Sequence, residues 1–234
     1  MFSLMLILAS CVCITSCNND EDEPVPTISK SSVTMNVGES VKLTYSGKDC
    51  TWSSENPVIA SVSSQGVVTA NLVGETKVRA NNLYCKVTVA PKYTMYVEPY
   101  TGWGATQSVV KSKMSGYSLY DSSSTDMTYE GKGNVFAYMY SFENGKLSGS
   151  SMAIFNNNAT YLSDFILERY IPIDYDDSAV YFMSSDEKTI GAVMVASGYV
   201  LVVYIPHETN SRDNNFKEQI DAKMEEFKLK IKRI

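Results

Sequence analysis

Histidine and basic residues are scarce in this sequence. Only His207 could offer an imidazole to a metal, so the HExxH motif and other sites that need two histidines are excluded. Lysine and arginine together number 20 against 26 aspartates and glutamates, and the formal net charge is -6. Proteins that bind nucleic acid, or that adhere to anionic lipid by charge, usually present a basic surface. Neither partner is therefore favoured.

The motifs of several common enzyme classes are also absent. The sequence contains no Gly-x-Ser-x-Gly nucleophile motif and no glycine-rich phosphate loop. The acidic run Asp174-Tyr175-Asp176-Asp177 lacks the glycine and the terminal glutamate of a calcium-binding loop. The two carboxylates of a glycosidase need not be close in sequence, but no pair stands out. We therefore predict a protein that is not an enzyme, with no catalytic residues, no metal and no cofactor.

The sequence has no apolar run long enough to span a membrane. The run from Leu4 to Val12 covers about nine residues, whereas a transmembrane helix needs roughly 20 and the apolar part of a secretory signal about 7–15. Residues 1–16 are therefore predicted to be an export signal that takes no part in the fold.

The segment Ile14-Thr15-Ser16-Cys17 consists of an apolar residue, two small residues and a cysteine. It resembles the lipobox read by the bacterial lipoprotein signal peptidase. The resemblance implies cleavage before Cys17, a diacylglyceryl group on its sulfur and usually a third acyl chain, such as palmitate, on its amine. Two or more chains give stable attachment, because each buried methylene contributes roughly 0.8 kcal/mol. The alternative is a cysteine that follows a hydrophobic stretch by chance.

Residues 17–26 are acidic and contain two prolines. The run Asn18-Asn19-Asp20-Glu21-Asp22-Glu23 is followed by Pro24-Val25-Pro26, a composition that stays extended and acts as a tether. It resembles the acidic signal that directs lipoproteins of some Gram-negative gut bacteria to the outer face of the outer membrane. The resemblance implies a lipid-anchored protein that faces the cell exterior. A merely solvated linker is the alternative.

Residues 27–90 consist of short alternating segments separated by Gly, Asn and Ser, which is typical of an all-β sandwich. Four segments are characteristic in their order: Val37-Gly38-Glu39, Thr51-Trp52-Ser53-Ser54-Glu55-Asn56, Gly66-Val67-Val68-Thr69-Ala70 and Cys85-Lys86-Val87-Thr88-Val89. Together they resemble the group 2 bacterial Ig-like domain. The resemblance implies a spacer of a modular surface protein, with Trp52 in its core.

The five cysteines fall in three places. Cys11 and Cys13 lie in the predicted signal and Cys17 at the predicted anchor, which leaves Cys50 and Cys85 in the first domain. Each shares the alternation of its inward-facing neighbours, so both should face the core. An exported protein meets an oxidising environment that permits a disulfide. A bond between these two cysteines and two free buried thiols are both compatible with the pattern.

Residues 91–234 combine helical and strand-like periodicity, which predicts an α+β domain. The predicted helices are 106–114, 161–170 and 216–231. The predicted strands lie around 117–120, 127–130, 135–142, 146–155, 179–183, 189–196 and 199–205. A tight hairpin turn is expected at Asn144-Gly145.

A helix followed by an antiparallel meander occurs twice in this prediction, at about 106–155 and 161–205. The order predicts a duplicated unit that forms one sheet with helices on one face, closed by an amphipathic C-terminal helix. The layout resembles the tandem helix-plus-sheet units of the β-lactamase inhibitor protein fold, in architecture only. The phrase from Glu98 to Ala105 resembles modules in other surface lipoproteins that carry Ig-like domains.

Three aromatic residues near the domain junction, Tyr96, Tyr100 and Trp103, are candidates for binding. Aromatic side chains with polar tips form good binding surfaces, sugar platforms among them, but they are also ordinary sheet residues. We expect an Ig-like spacer that presents a non-catalytic module for a glycan or a host or surface protein. The alternatives are a structural cell-envelope scaffold without a small ligand and a glycan-acting hydrolase.

Overall fold

The computed structural model describes residues 24–196, 198–207, 216–232 and 234. The predicted export signal, Cys17 and the acidic run before Pro24 lie outside these residues. Within them the chain forms three α-helices and three β-sheets, of four, three and eight strands. None of the described helices is long and apolar enough to cross a membrane.

Two sheets form an N-terminal β-sandwich. Their strands are β1 (Ser32–Asn36), β2 (Ser40–Lys42), β3 (Trp52–Ser54), β4 (Ala60–Val62), β5 (Val67–Ala70), β6 (Gly74–Ala80) and β7 (Leu83–Ala90). One sheet has the order β1-β7-β6-β3 and the other the order β2-β5-β4. Strand β1 runs parallel to β7, and the other pairs are antiparallel. The predicted all-β sandwich is confirmed.

Alternating apolar residues of the two sheets fill the space between them. On β7, Cys85, Val87 and Val89 are buried, whereas the residues between them are more exposed. Trp52, at the start of β3, packs against this core as expected. A Cβ on Gly66, where φ is +78°, would lie 2.8 Å from the Trp52 ring. The close approach of the indole and the left-handed backbone both require glycine there.

The C-terminal part is built on one eight-stranded antiparallel sheet. Its helices are α1 (Gln107–Lys113), α2 (Leu162–Leu167) and α3 (Phe216–Ile231). Its strands are β8 (Leu119–Ser122), β9 (Asp126–Glu130), β10 (Ala137–Glu143), β11 (Lys146–Phe155), β12 (Tyr170–Tyr175), β13 (Val180–Ser184), β14 (Thr189–Ala196) and β15 (Tyr199–Pro206). Asn144 and Gly145, with φ of 50° and 72°, form the predicted hairpin turn between β10 and β11.

The strand order of this sheet is β12-β13-β14-β15-β11-β10-β9-β8. Two four-stranded meanders therefore meet where β11 pairs with β15. Helix α1 precedes the first meander and α2 precedes the second, so the order of helix and meander occurs twice. The duplication of one unit stays a prediction.

Both faces of the large sheet are covered at its centre, and helices lie on both. Along β15, Val202 and Tyr204 face one core, to which α1 and α2 contribute, and Leu201 and Val203 face the other, which α3 covers. The expectation of helices on one face is therefore wrong for α3. The physical reason is the apolar run of β15, because a strand with both faces apolar must be covered on both sides.

Helix α3 packs by the stripe that the sequence predicted for it. The buried residues are Ile220, Met224, Phe227 and Ile231. They recur at helical spacing, so they line one side of the helix and lie against β10, β11, β14 and β15. The amphipathic helix is therefore part of the fold.

The sequence does not predict strand β12. It predicts a helix over 161–170, which ends at the residue where β12 begins. Helix α2 ends at Leu167, and β12 begins at Tyr170. Pro172 lies within β12, and proline has no backbone N–H to donate to a neighbouring strand. A proline is tolerated here because β12 is an edge strand with a bulge between Pro172 and Asp174. That proline was the available signal against a longer helix.

Candidate functional site

The segment that connects the sandwich to α1 lies across the face of the large sheet that also carries α1 and α2. Tyr96 is 4% exposed. Its hydroxyl donates a hydrogen bond to the carbonyl oxygen of Asn158 at 2.6 Å, and its ring meets Phe165 edge to face at 5.2 Å. A buried ring offers no face to a ligand. This corrects the interpretation of Tyr96 as a binding aromatic, and Tyr96 is a core residue.

Tyr100 and Trp103 lie further along the same segment and are half-buried. The backbone N–H of Tyr100 donates to the hydroxyl of Tyr140 at 3.2 Å, and the indole Nε1–H of Trp103 donates to the hydroxyl of Thr189 at 3.0 Å. Both contacts tie the segment to the sheet. A binding role for these two aromatics stays a prediction.

The two cysteines of the sandwich are free thiols, Cys85 buried and Cys50 half-buried. The strand register keeps them apart, since Cys85 pairs with Val78 of β6 and Val78 pairs with Ser54 of β3. Cys50 precedes Ser54 by four residues, roughly 13 Å of extended chain. A disulfide needs Cα atoms within about 7 Å. The structure therefore does not contain the disulfide. The alternative of two free buried thiols fits Cys85, whereas Cys50 is free but only half-buried.

Glu168, directly after α2, joins the two parts of the chain. It is 5% exposed, and its carboxylate accepts hydrogen bonds from the backbone N–H groups of Lys92 and Tyr93 at 2.9 and 3.0 Å. Its backbone carbonyl accepts another from the N–H of Val73, between β5 and β6, at 2.7 Å. Hydrogen bonds to an ionised acceptor are among the strong ones. We call this group of contacts the Glu168 joint.

Arg169 reinforces the Glu168 joint. Its guanidinium pairs with the Glu168 carboxylate and donates to the carbonyl oxygens of Phe165 at 3.0 Å and Tyr93 at 2.9 Å. It also lies over the Phe165 ring, 3.8 Å from the centroid. In the sequence this pair is visible only as two adjacent opposite charges after an apolar helix, and that pattern does not reveal that the charges are buried.

Glu98 of the connecting segment lies beneath two tyrosines of the sheet. Its carboxylate accepts hydrogen bonds from Tyr170 at 2.6 Å and Tyr204 at 3.4 Å, and Arg169 approaches it at 3.7 Å. Burial raises the pKa of Glu98, although the Tyr170 hydrogen bond and the Arg169 charge lower it. Burial also raises the pKa of both tyrosines well above 10. Tyr204 is fully buried and Glu98 is half-buried, so this cluster lies at the margin of the core and fastens the segment to the sheet.

Two clefts open beside α3, on the face opposite α1 and α2. The first, which we call the α3–β10 cleft, has a volume of about 450 Å³; its lining residues are Glu143, Ser148, Ile205, Pro206, Gln219, Ala222, Lys223 and Glu226. The second, the β8–β9 cleft, has a volume of about 280 Å³; its lining residues are Tyr120, Thr128, Tyr129, Glu130, Gly131, Phe136, Ala137 and Ile234.

The charges of the α3–β10 cleft pair with one another. Lys223 lies 2.9 Å from the carboxylate of Glu143 and 3.0 Å from that of Glu226. Glu226 also accepts hydrogen bonds from Ser141 at 2.7 Å and Lys230 at 2.6 Å. Burial alone would raise the pKa of Glu226, but the hydrogen bonds from Lys230, Ser141 and Lys223 outweigh it and lower the pKa to about 2. This network holds α3 against β10.

The β8–β9 cleft is different in chemistry, because aromatic rings and hydrogen-bonding groups line it together. Tyr120 lies in the bulge of the edge strand β8, between Leu119 and Asp121. Phe136 forms another part of the lining and packs on Phe155, with ring centroids 4.6 Å apart. None of these residues was singled out in the sequence, where alternating strand residues give no sign of a cleft.

The acidic loop around Asp174 has a structural partner. Lys217 of α3 lies 2.7 Å from the carboxylate of Asp174, and Asp176 accepts hydrogen bonds from the backbone N–H and hydroxyl of Ser178.

His207 donates from Nδ1 to the carbonyl oxygen of Glu187 at 2.7 Å. Among the described residues, no three or more His, Cys, Asp or Glu side chains are grouped so that they could hold a metal ion.

Comparison with models of known protein families gives a match over the N-terminal part of the chain. Residues 25–82 match the family model of the bacterial Ig-like domain (group 2). The match covers about a quarter of the chain and ends where β7 begins. Together with the seven-stranded sandwich it identifies the N-terminal part as Ig-like, a kind of domain that suggests a surface-associated protein. No curated protein matches the chain.

Proposed function

We propose that this protein is a lipid-anchored surface protein in which the Ig-like domain presents a non-catalytic binding module formed by residues 91–234. The Glu168 joint is the observation that carries the proposal. A spacer can present a module in a defined direction only where the two are held together, and the backbone hydrogen bonds from Val73, Lys92 and Tyr93 to Glu168 do this. The predicted anchor at Cys17 precedes the sandwich in the sequence, so the sandwich would separate the module from the membrane along the chain.

Two features favour a binding module over the alternatives. The charges in the α3–β10 cleft are paired with one another, and Glu98 is held by two tyrosines, which favours structural roles over acid–base chemistry. The β8–β9 cleft, with aromatic and hydroxyl-bearing walls, favours a ligand over a scaffold with a featureless surface.

The same proposal includes a duplicated origin for the module. Helix α2 begins 55 residues after α1 (162 against 107), and each helix is followed by a four-stranded antiparallel meander. The two meanders meet edge to edge through β11 and β15, which is how two copies of one unit would share a sheet.

The anchor is tested by a Cys17→Ala substitution in the full-length protein, with Cys50→Ala as the matched control. We expect the unsubstituted protein and the control to incorporate a palmitate analogue and to be digested by protease added to intact cells. Cys17→Ala should lose the label. A label that persists in Cys17→Ala would contradict the anchor, and resistance to protease until the outer membrane is broken would contradict surface display.

The binding role is tested with the predicted exported chain shortened by its lipid-bearing residue Cys17, that is, Asn18 to Ile234. The purified protein is screened against arrays of glycans and against surface proteins of host cells, with bound protein detected by a tag-specific antibody. We expect at least one class of ligand to bind saturably. Uniform absence of binding in both screens would contradict the proposal.

A further inference from the structure

Thr128 of β9 is a buried polar residue whose hydroxyl has no partner. The residue is 5% exposed and lines both the β8–β9 cleft and a small hollow that adjoins it. Its hydroxyl forms no hydrogen bond with any residue that the structure describes. The described side-chain oxygens that are fully enclosed without a partner are those of Ser54, Ser150 and Ser151, so the Thr128 hydroxyl is instead open to the cleft. The cleft therefore contains a hydrogen-bonding position that the protein itself does not use.

A second polar group lies beside it. Glu130 follows two residues after Thr128 on the same strand, so both side chains project from the same face of the sheet into the cleft. The carboxylate of Glu130 is exposed and forms no ion pair within the described part of the chain. A hydroxyl that can donate or accept and a carboxylate that accepts thus face one space.

Aromatic rings complete the cleft. Tyr120 is about half exposed at the edge strand, and Phe136, supported by Phe155, forms another part of the lining. Ring faces next to hydrogen-bonding groups suit a ligand with an apolar face and several hydroxyl groups. A sugar ring has this chemistry, since its C–H face packs on an aromatic ring while its hydroxyls bind polar side chains.

The charge around the cleft limits which saccharide fits. Three carboxylates, those of Asp121, Asp126 and Glu130, line the cleft and the adjoining hollow. Among the described lining residues, Lys230 carries the one positive charge, and its ammonium is already held by Glu226 at 2.6 Å. A sialylated, sulfated or phosphorylated ligand would meet like charge. The surroundings therefore favour a neutral ligand.

We propose that the β8–β9 cleft binds a neutral saccharide, with Thr128 and Glu130 hydrogen-bonded to its hydroxyls and Tyr120 and Phe136 packed against its ring. This inference depends on the proposed function, because it assumes that the module binds a ligand. A peptide added to the sheet edge is less well suited, since β8 is only four residues long and bulged, features that protect an edge from strand addition.

The test uses the same lipid-free protein, Asn18 to Ile234, on an array of neutral and acidic oligosaccharides, followed by calorimetric titration of the ligands that bind. We expect neutral sugars to bind. Thr128→Val, which keeps the shape and removes the hydroxyl, should weaken binding about three- to tenfold, and Tyr120→Ala about tenfold. Tyr175→Ala, which removes a 79% exposed tyrosine at the opposite edge of the sheet, should leave the affinity unchanged.

Thermal unfolding separates loss of the site from loss of the fold. The melting temperature of Thr128→Val should stay close to that of the parent, because the substitution breaks no hydrogen bond among the described residues. Neutral sugars that bind Thr128→Val and Tyr120→Ala with parental affinity would overturn the cleft assignment and leave the binding role intact. Binding of acidic sugars only, or of a surface protein or peptide but no sugar, would overturn the saccharide and again leave the binding role intact. No binding in any screen would overturn both.

Discussion

Gly191 of β14 lies directly opposite Phe182 of β13. A Cβ at position 191 would lie 2.2 Å from the Phe182 ring and 2.7 Å from the carbonyl oxygen of Val203. Phe182 is buried and Val203 belongs to the central strand β15, so neither can move freely. The Phe182 ring fits into this part of the core only because position 191 on the neighbouring strand carries no side chain.

Gly191→Ala should therefore destabilise the protein by about 2–3 kcal/mol, because the added methyl group overpacks the core. Urea denaturation followed by tryptophan fluorescence measures the change. Gly116→Ala is the control, since the nearest atom to its added Cβ, the Lys132 ammonium nitrogen, is 3.8 Å away. Equal denaturation midpoints for the two variants would contradict the packing seen around Phe182.

Cys50, Cys85 and Tyr96 show where single-residue predictions stop. Alternation along a strand predicts which way a side chain faces, and the burial of Cys85 agrees with it. Alternation does not specify which residue lies opposite on the next strand, so it could not show that Cys50 and Cys85 are far apart. Tyr96 is buried because α2 brings Phe165 against it, a contact between residues distant in the chain.

Helix α3 is held in place by apolar packing and by hydrogen bonds. Its apolar stripe packs on the sheet, and the carboxylate of Glu226 accepts hydrogen bonds from Ser141 of β10 and from Lys230. The sequence predicted the stripe from its spacing. It could not predict the pairing with Ser141, because that pairing depends on which face of the sheet the helix covers.

The pKa of Glu226, lowered from 4.5 to about 2, makes the docking of α3 dependent on pH. A lowered carboxyl pKa contributes stability above the pKa of the unfolded chain, and this contribution is lost as the pH falls through the pKa of the folded protein. We expect the free energy of unfolding to fall between about pH 4.5 and pH 2. The share of Glu226 is about 1 kcal/mol, since its side chain is partly exposed and solvent screens its ion pairs.

Glu226→Gln should remove that share, so the variant is less stable than the parent at pH 7 and the difference shrinks toward pH 2. Thermal unfolding at several pH values measures it. Glu225→Gln changes a carboxylate on the solvent side of the same helix and serves as the control. It should lose as much stability between pH 7 and pH 2 as the parent does. A Glu226→Gln profile parallel to that of the parent would refute the role of the network.

For the molecule as a whole, the Glu168 joint makes a continuous structure out of two parts. The chain enters the module through Lys92 and Tyr93, and the N–H groups of both are held by one buried carboxylate. Without these bonds the connecting segment could rotate as an ordinary linker. With them the sandwich and α2 are tied together, as the proposed spacer role requires.

Glu168→Gln should loosen this joint, because the amide nitrogen cannot accept a hydrogen bond from a backbone N–H and the pair with Arg169 loses its charge. We expect a loss of about 2 kcal/mol in the free energy of unfolding and faster cleavage by trypsin after Lys92. Limited digestion followed by mass spectrometry measures the cleavage. Glu225→Gln is again the control, and equal cleavage rates in the two variants would count against the joint.

The sequence by itself determined the features that depend on local periodicity and local backbone geometry. These are the strands of the Ig-like sandwich, the hairpin at Asn144-Gly145 and the apolar stripe of α3. The tertiary structure alone decided that α3 lies opposite α1 and α2, that β12 completes the second meander, and that Glu168 and Tyr96 are buried. The reason is physical: burial, register and pairing are properties of residues far apart in the chain, which meet only when the sheets are assembled.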